Sequence, residues 1–204
     1  MTDSITEHQT TTSALDARRS YFAPALILAA LIAIADQLTK IWILDHFAEG
    51  GSTINIWGDT IRFILVYNYG GALGTTFGSP SMYLIMGLLI FCGLLYYLWS
   101  ARHIRSFSLT LGLIAGGAIG NLTDRVRLGK VVDWIDIDIP DIPWFGGELE
   151  RFWTFNIADS AITVALVFLL LSYLRAKSDE EPESSAVSAE HSAEITNNTR
   201  LDNQ

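Results

Sequence analysis

Asp133, in Val131-Val132-Asp133-Trp134, and Asp159, in Phe155-Asn156-Ile157-Ala158-Asp159, each stand where a polar stretch meets a long apolar one. A carboxylate kept at a membrane boundary is costly without a partner or a task. Two of them, at opposite ends of one connecting segment, point to a shared site and to acid/base chemistry at a membrane surface. The other reactive side chains offer no competing set. His8, His46, His103 and His191 are scattered, without a metal-ligand spacing such as H-E-x-x-H. There is no Gly-x-Ser-x-Gly elbow. The single cysteine, Cys92, lies within an apolar run with no base nearby and reads as a plain core residue. No metal and no cofactor is expected.

Further polar residues accompany the pair. Asp36 and Lys40 are four apart with the acid first, the favourable order for a helical ion pair. Snorkelling to the interface would explain Lys40 but not Asp36, which sits ~6 Å deeper at 1.5 Å per residue. Asp36 is expected to make a structural or substrate-orienting contact. Asn68-Tyr69-Gly70-Gly71-Ala72 brings small residues around one amide that can donate and accept; alone it would be a turn. Gly117, Asn121 and Asp124 share a helical face. Asp124 and Arg125 read as a local ion pair that finishes the helix, with Arg125 also a candidate for touching a substrate. Asp136, Asp138, Asp141, Glu148 and Glu150 read as solvated loop acids.

The elements that must position these groups are apolar. Half of the 204 residues are hydrophobic, and they fall in blocks. The blocks predict four transmembrane helices at about 21–44, 82–99, 107–123 and 157–174, each long enough for the ~17–25 residues a bilayer requires. A soluble bundle would show a polar face every few residues, and 82–99 has none. Gly112, Gly116 and Gly120, with Gly117 beside them, allow close helix packing in lipid, which makes the third span central. Ile54–Trp57 and Ile61–Tyr67, around Gly58-Asp59, predict a small extracytoplasmic β-hairpin or sheet. The fold class is therefore an α-helical integral membrane protein with four spans and a small sheet. Residues 21–176 form its membrane domain, between polar tails at 1–20 and 177–204 that are too poor in apolar residues to fold. The acidic second tail supplies much of the net charge of −9. No cleavable signal peptide is expected; the first block reads as an uncleaved anchor.

Arg18 and Arg19, Arg102, His103 and Arg105, and Arg175 and Lys177 suit a cytoplasmic face. Both termini are then inside, and segments 45–81 and 123–156 lie outside with both aspartates. A proton-coupled transporter using the acids as a relay is the main alternative, but it would distribute carboxylates through the bilayer depth. A scaffold would explain the glycine-lined helix but not the acids.

Taken together, Asp36-Gln37-x-Thr39-Lys40, Asn68-x-Gly70-x-Ala72, Gly116-Gly117-x-x-Gly120-Asn121-x-x-Asp124-Arg125, Val131-Val132-Asp133-Trp134 and Phe155-Asn156-x-Ala158-Asp159 resemble, in order, the motif set of the bacterial lipoprotein signal peptidases (signal peptidase II). The resemblance implies an aspartic endopeptidase of the bacterial inner membrane. Such an enzyme removes the signal peptide of diacylglyceryl-modified prolipoproteins, cutting before the lipidated cysteine. It implies Asp133 and Asp159 as the catalytic dyad. Asn68, Gly70, Asn121, Arg125 and Asn156 would bind substrate, and Asp36, Lys40 and Asp124 would support the site. The expected partners are prolipoproteins and membrane lipids, not nucleic acid, with a monomer as the default state. Gly71 and Leu73 depart from the commoner Asn-x-Gly-Ala-Ala-Phe, and 135–153 looks longer and more acidic than is usual.

Overall fold

The computed structural model describes residues 19–71, 78–138, 143–144, 147–148 and 154–178. The polar tails, the 72–77 stretch with Leu73 and most of 139–153 lie outside these residues. Among the described residues four helices are long and apolar enough to cross a membrane: α1 (Phe22–His46), α2 (Pro80–Ser100), α3 (Arg105–Leu128) and α4 (Ile157–Ser178). The four spans expected from the sequence are thus present, the first one residue longer than its apolar block and the third, Arg105–Leu128, seven residues longer. By contacts the chain divides into Met1–Ala165 and Leu166–Gln204.

Helix α1 shows why this is a membrane fold. Its buried stripe is Ala25, Ala29, Ala33, Asp36, Lys40 and Ile43, at helical spacing, whereas Ile27, Leu31, Ile34 and Leu38 are exposed. Apart from Ile43, which packs under the sheet, small and ionisable side chains face inward and large apolar ones outward, as lipid rather than water demands. In Leu166–Gln204, the α4 residues Leu166, Val167, Leu170 and Leu171 are likewise exposed. Cys92 is exposed on α2, so it lies on an outward face and not in the core that the sequence suggested.

The glycines of α3 are where its backbone meets other helices. A Cβ at Gly112 would come within 2.7 Å of the Ala25 carbonyl oxygen, and one at Gly116 within 2.7 Å of that of Ala29. At Gly117 it would run into the carbonyl oxygen of Ala158, and at Gly120 into the Asp36 carboxylate. Helix α3 therefore touches α1 and the start of α4 along its glycine stripe, and has the largest buried share of the four spans. Ser79 caps α2, accepting from the Met82 amide, with Pro80 in the first turn. The turn after α2 is held to the start of α1 by the Tyr21 amide donating to Arg102 O at 2.7 Å. Gly129, at φ 72°, ends α3 in the left-handed conformation that favours glycine.

The expected hairpin or small sheet is a three-stranded antiparallel sheet. β1 (Ile54–Trp57) and β2 (Ile61–Asn68) pair antiparallel, and β3 (Val131–Ile137) adds on the far side of β2, in the order β1-β2-β3. The third strand lies within the segment that the sequence presents as a connection between spans. Its Val-Val-x-Trp-Ile content is nevertheless that of a strand. β4 (Pro143–Trp144) and β5 (Gly147–Glu148) form a separate two-stranded ladder. Ile43 and Phe47 pack against Leu65, Val132 and Trp134, which seats the sheet on the end of α1.

Asp136 corrects a sequence expectation. Rather than a solvated loop acid, it is buried and paired across the ladder with Arg62, whose Nε and Nη2 lie 2.8 and 2.7 Å from Oδ2. The pairing follows from β3 itself, since the register sets Arg62 opposite Asp136.

Candidate active site

Asp133 is positioned by β3. The strand register places it opposite Val66, and only 2% of its surface is exposed. Its Oδ1 accepts from Asn156 Nδ2 at 2.7 Å and its Oδ2 from Asn68 Nδ2 at 3.1 Å. Burial, and then the negative charge of Asp159, push the Asp133 carboxyl up to about 7 against the bonds from Asn68 and Asn156 and the charge of Lys40.

Asp159 is positioned by the start of α4. Asn156 is the N-cap: its Oδ1 accepts the Asp159 backbone N–H at 2.9 Å. Just before it, Phe155 bridges to Ile135 of β3 through backbone bonds of 2.8 and 3.0 Å. Asn121 Nδ2 donates to Asp159 Oδ1 at 2.8 Å. Asn156 therefore bonds to Asp133 with its side-chain amide and to Asp159 with its side-chain carbonyl.

Beneath the two aspartates lies a buried ionic cluster. Lys40 Nζ sits 2.9 Å from Asp36 Oδ2 and 2.8 Å from Asp124 Oδ2, and donates to Asn121 Oδ1 at 3.0 Å. Lys40 is 1% exposed, so it turns inward and does not reach for the interface. The expected Asp36–Lys40 helical pair is present. The expected local pair of Asp124 with Arg125 is not: Asp124 turns to Lys40, accepts the Val132 N–H at 3.0 Å and accepts from Gln37 at 2.9 Å. A buried carboxylate gains more from a buried cation and an amide than from a half-exposed neighbour. Asp36 Oδ1 accepts the Ala158 N–H at 3.0 Å, so α1 satisfies one of the amides left open in the first turn of α4.

Arg125 instead donates to the Gly70 carbonyl at 3.0 Å, while the Gly70 amide donates to Asn68 Oδ1 at 2.9 Å. It thereby ties the Asn68–Gly71 turn to α3. All ten residues singled out in the sequence belong to one hydrogen-bonded network. Sequence reasoning missed Gln37 as a working member. Its Nε2 donates to Asp36, Gly120 O and Asp124, and its Oε1 accepts from Arg127. Its place in the Asp36–Lys40 motif was the available signal.

Among the described residues no group of three or more His, Cys, Asp or Glu is arranged to hold a metal. A cavity of about 300 Å³ lies between the 49–53 loop and β2, bordered by Glu49, Arg62 and Val66, and neither aspartate lines it. The arrangement around Asp133 and Asp159 is suited to moving protons between two coupled carboxylates.

The sequence model of signal peptidase (SPase) II matches residues 28–175, which include every member of the network. The chain belongs to the signal peptidase II family. The lipoprotein signal peptidase of Chlorobium phaeobacteroides (strain BS1) is 36% identical over 150 residues, 73% of this chain and 94% of that protein. That of Burkholderia mallei (strain SAVP1) is 38% identical over 160 residues, 75% of this chain and 89% of its own length. A bacterial membrane enzyme solved by the in meso method at 2.3 Å resolution superposes with a TM-score of 0.68 at 28% identity, covering 79% of this chain and 94% of that one. As a signal peptidase II family member, the chain is a peptidase and a multi-pass membrane protein.

Proposed function

We propose that this protein removes the signal peptides of diacylglyceryl-modified prolipoproteins, cutting before the lipidated cysteine with Asp133 and Asp159 as the catalytic pair. The observation that carries the assignment is Asn156, buried and bonded at once to the Asp133 carboxylate and to the Asp159 backbone. Membership of the signal peptidase II family supports the reaction and the substrate class.

Amide hydrolysis needs an activated water and a polarised carbonyl. Two neighbouring carboxylates hold one proton between them near neutrality, so one member can take a proton from water while the other gives one to the carbonyl oxygen. Asn68, Gly70, Asn121, Arg125 and Asn156 hold the substrate backbone against the pair, while Asp36, Lys40 and Asp124 keep the helices in register beneath it. The acids gather in one network and are not strung along the spans, which favours a peptidase over a proton relay. Residues 21–176 act as one catalytic membrane domain and the protein works as a monomer among lipids. Both termini face the cytoplasm of a bacterial cell whose inner membrane holds the protein, and the site opens near the outer leaflet. The basic residues Arg19, Arg102, Arg105 and Arg175 support that orientation.

The test is to incubate the purified full-length protein with a diacylglyceryl-modified precursor and with the same precursor lacking the lipid. Cleavage of the first alone is expected. No cleavage of either, or equal cleavage of both, overturns the proposed function.

A further inference from the structure

Resting on that function, we infer that the substrate segment following the cut adds to the open edge of β2, at residues 64–68, as a further antiparallel strand of the sheet. β1 covers only part of β2. Its pairing runs from Ile54 opposite Phe63 to Trp57 opposite Ile61. β2 itself continues to Asn68, and on its other side β3 follows it to the end, with Val131 opposite Asn68. Residues 64–68 therefore have a strand on one side and, among the described residues, none on the other. An edge of this kind presents backbone N–H and C=O groups with which another extended chain can pair.

The cavity beside β2 lies along this stretch. Its wall on β2 includes Ile64, Leu65 and Val66, three residues in succession. A sheet face turns every second residue toward a cavity, so a wall of consecutive residues is the edge of the strand. The register of β2 against β3 shifts between Phe63 and Val66, an irregularity that bends a strand just where β1 stops. The facing wall is the 49–53 loop with Gly50 and Gly51. A Cβ at Gly50 would meet nothing within 4 Å, and among the described residues no backbone bond joins this loop to 64–66. The cavity is thus a slot with one hydrogen-bonding wall and one of low bulk.

What fills the slot follows from where it begins. Val66 lines it and stands opposite Asp133 in the ladder, and Asn68, at the end of β2, donates to Asp133 Oδ2. A chain leaving Asp133 crosses two strand spacings, ~10 Å, to reach the far edge of β2, which ~3 extended residues can span. It then runs from Asn68 toward Ile64, antiparallel to β2 and in line with β1. The signal peptide is apolar and stays with the spans, whereas the segment beyond the lipidated cysteine enters the polar side where the sheet lies. Pairing through the backbone asks little of side chains, so one slot serves precursors of differing sequence.

The test uses full-length protein and lipidated precursors in which single backbone amides beyond the cysteine are replaced by esters, one position at a time. An ester removes one N–H donor and keeps the side chain. Beyond the first few residues, kcat/KM is expected to fall by roughly three- to tenfold at every second position and to hold at those between, because alternate residues of a strand bond to the same neighbour. Losses at no position, or equal losses at consecutive positions, overturn the inference. Ser52→Trp, on an exposed part of the loop, places bulk in the slot. It is expected to lower kcat/KM about tenfold on the long precursor, as loss of one or two such bonds would, and to leave unchanged a precursor that ends two residues after the lipidated cysteine. An equal effect on both precursors overturns the inference. Wild type that cuts neither precursor sinks the peptidase function instead. Infrared spectra of the long precursor, with isotope-labelled carbonyls beyond the cysteine and bound to full-length protein, then decide the pairing. A strand-type amide band with wild type and its loss in Ser52→Trp are expected; an unpaired spectrum with wild type overturns the inference.

Discussion

Lys40 Nζ lies within 3 Å of two buried carboxylates on two different helices, Asp36 at 2.9 Å and Asp124 at 2.8 Å. One cation is therefore shared by two acids that burial would otherwise make very costly. Replacing it by Met leaves both charges uncompensated. Lys40→Met is expected to destabilise the folded protein by about 3–5 kcal/mol and to abolish activity. Thermal unfolding in detergent checks the first and precursor cleavage the second; a variant as stable as wild type would refute the pairing.

Asp133→Asn and Asp159→Asn should each abolish cleavage of a lipidated precursor while the protein still inserts into membranes. Both substitutions keep the side-chain shape and remove the proton chemistry. Purified variants that retain cleavage would overturn the dyad. Chelation with EDTA should leave wild-type cleavage unchanged, and strong inhibition would argue for a metal.

Asp133 also predicts how stability follows pH. Burial and the charge of Asp159 raise its carboxyl from an ordinary 3.8 to about 7, so the folded state holds this proton more tightly than the unfolded one. That contribution is complete below the ordinary value and is lost as pH rises through about 7. Asp133→Asn does not titrate there. Its melting temperature relative to wild type is expected to rise steadily between pH 4 and pH 8, with a bound of roughly 4 kcal/mol set by ~1.4 kcal/mol per unit. A difference that stays flat over this range would refute the shift.

Gly116→Ala places a methyl 2.7 Å from the Ala29 carbonyl oxygen, and Gly117→Ala drives one into the Ala158 carbonyl oxygen. Backbone cannot yield as a flexible side chain does, so each is expected to cost about 1–3 kcal/mol. Gly117→Ala should lower activity further, because Ala158 adjoins Asp159. Gly93→Ala on α2, where a Cβ meets nothing within 4 Å, should be neutral in both melting and cleavage assays.

What could be read in the sequence was what is local. The spans follow from apolar runs, the glycine stripe from a spacing of four, and the Asp36–Lys40 pair from one helical turn. The Asp124–Lys40 pair joins residues on separate helices, and nothing within a turn of Asp124 announces it; Arg125 next door was the misleading local candidate. Asp136 was misjudged for the same reason. Its partner Arg62 comes from a strand across the ladder, and without β3 in view an acid among other acids looks solvated. Gln37 stood inside a quoted motif, but an uncharged amide in an apolar helix gives no sign of which groups it joins.

The bond from Asp36 to the Ala158 amide has a consequence for biogenesis. The first span carries the acceptor that completes the first turn of the last span, 122 residues later in the chain. A nascent protein still lacking its fourth span has an unfilled acceptor at Asp36, and a fragment without the first span has an unfinished helix where Asp159 must sit. The turn that carries Asp159 is therefore completed only when the first and last spans have met.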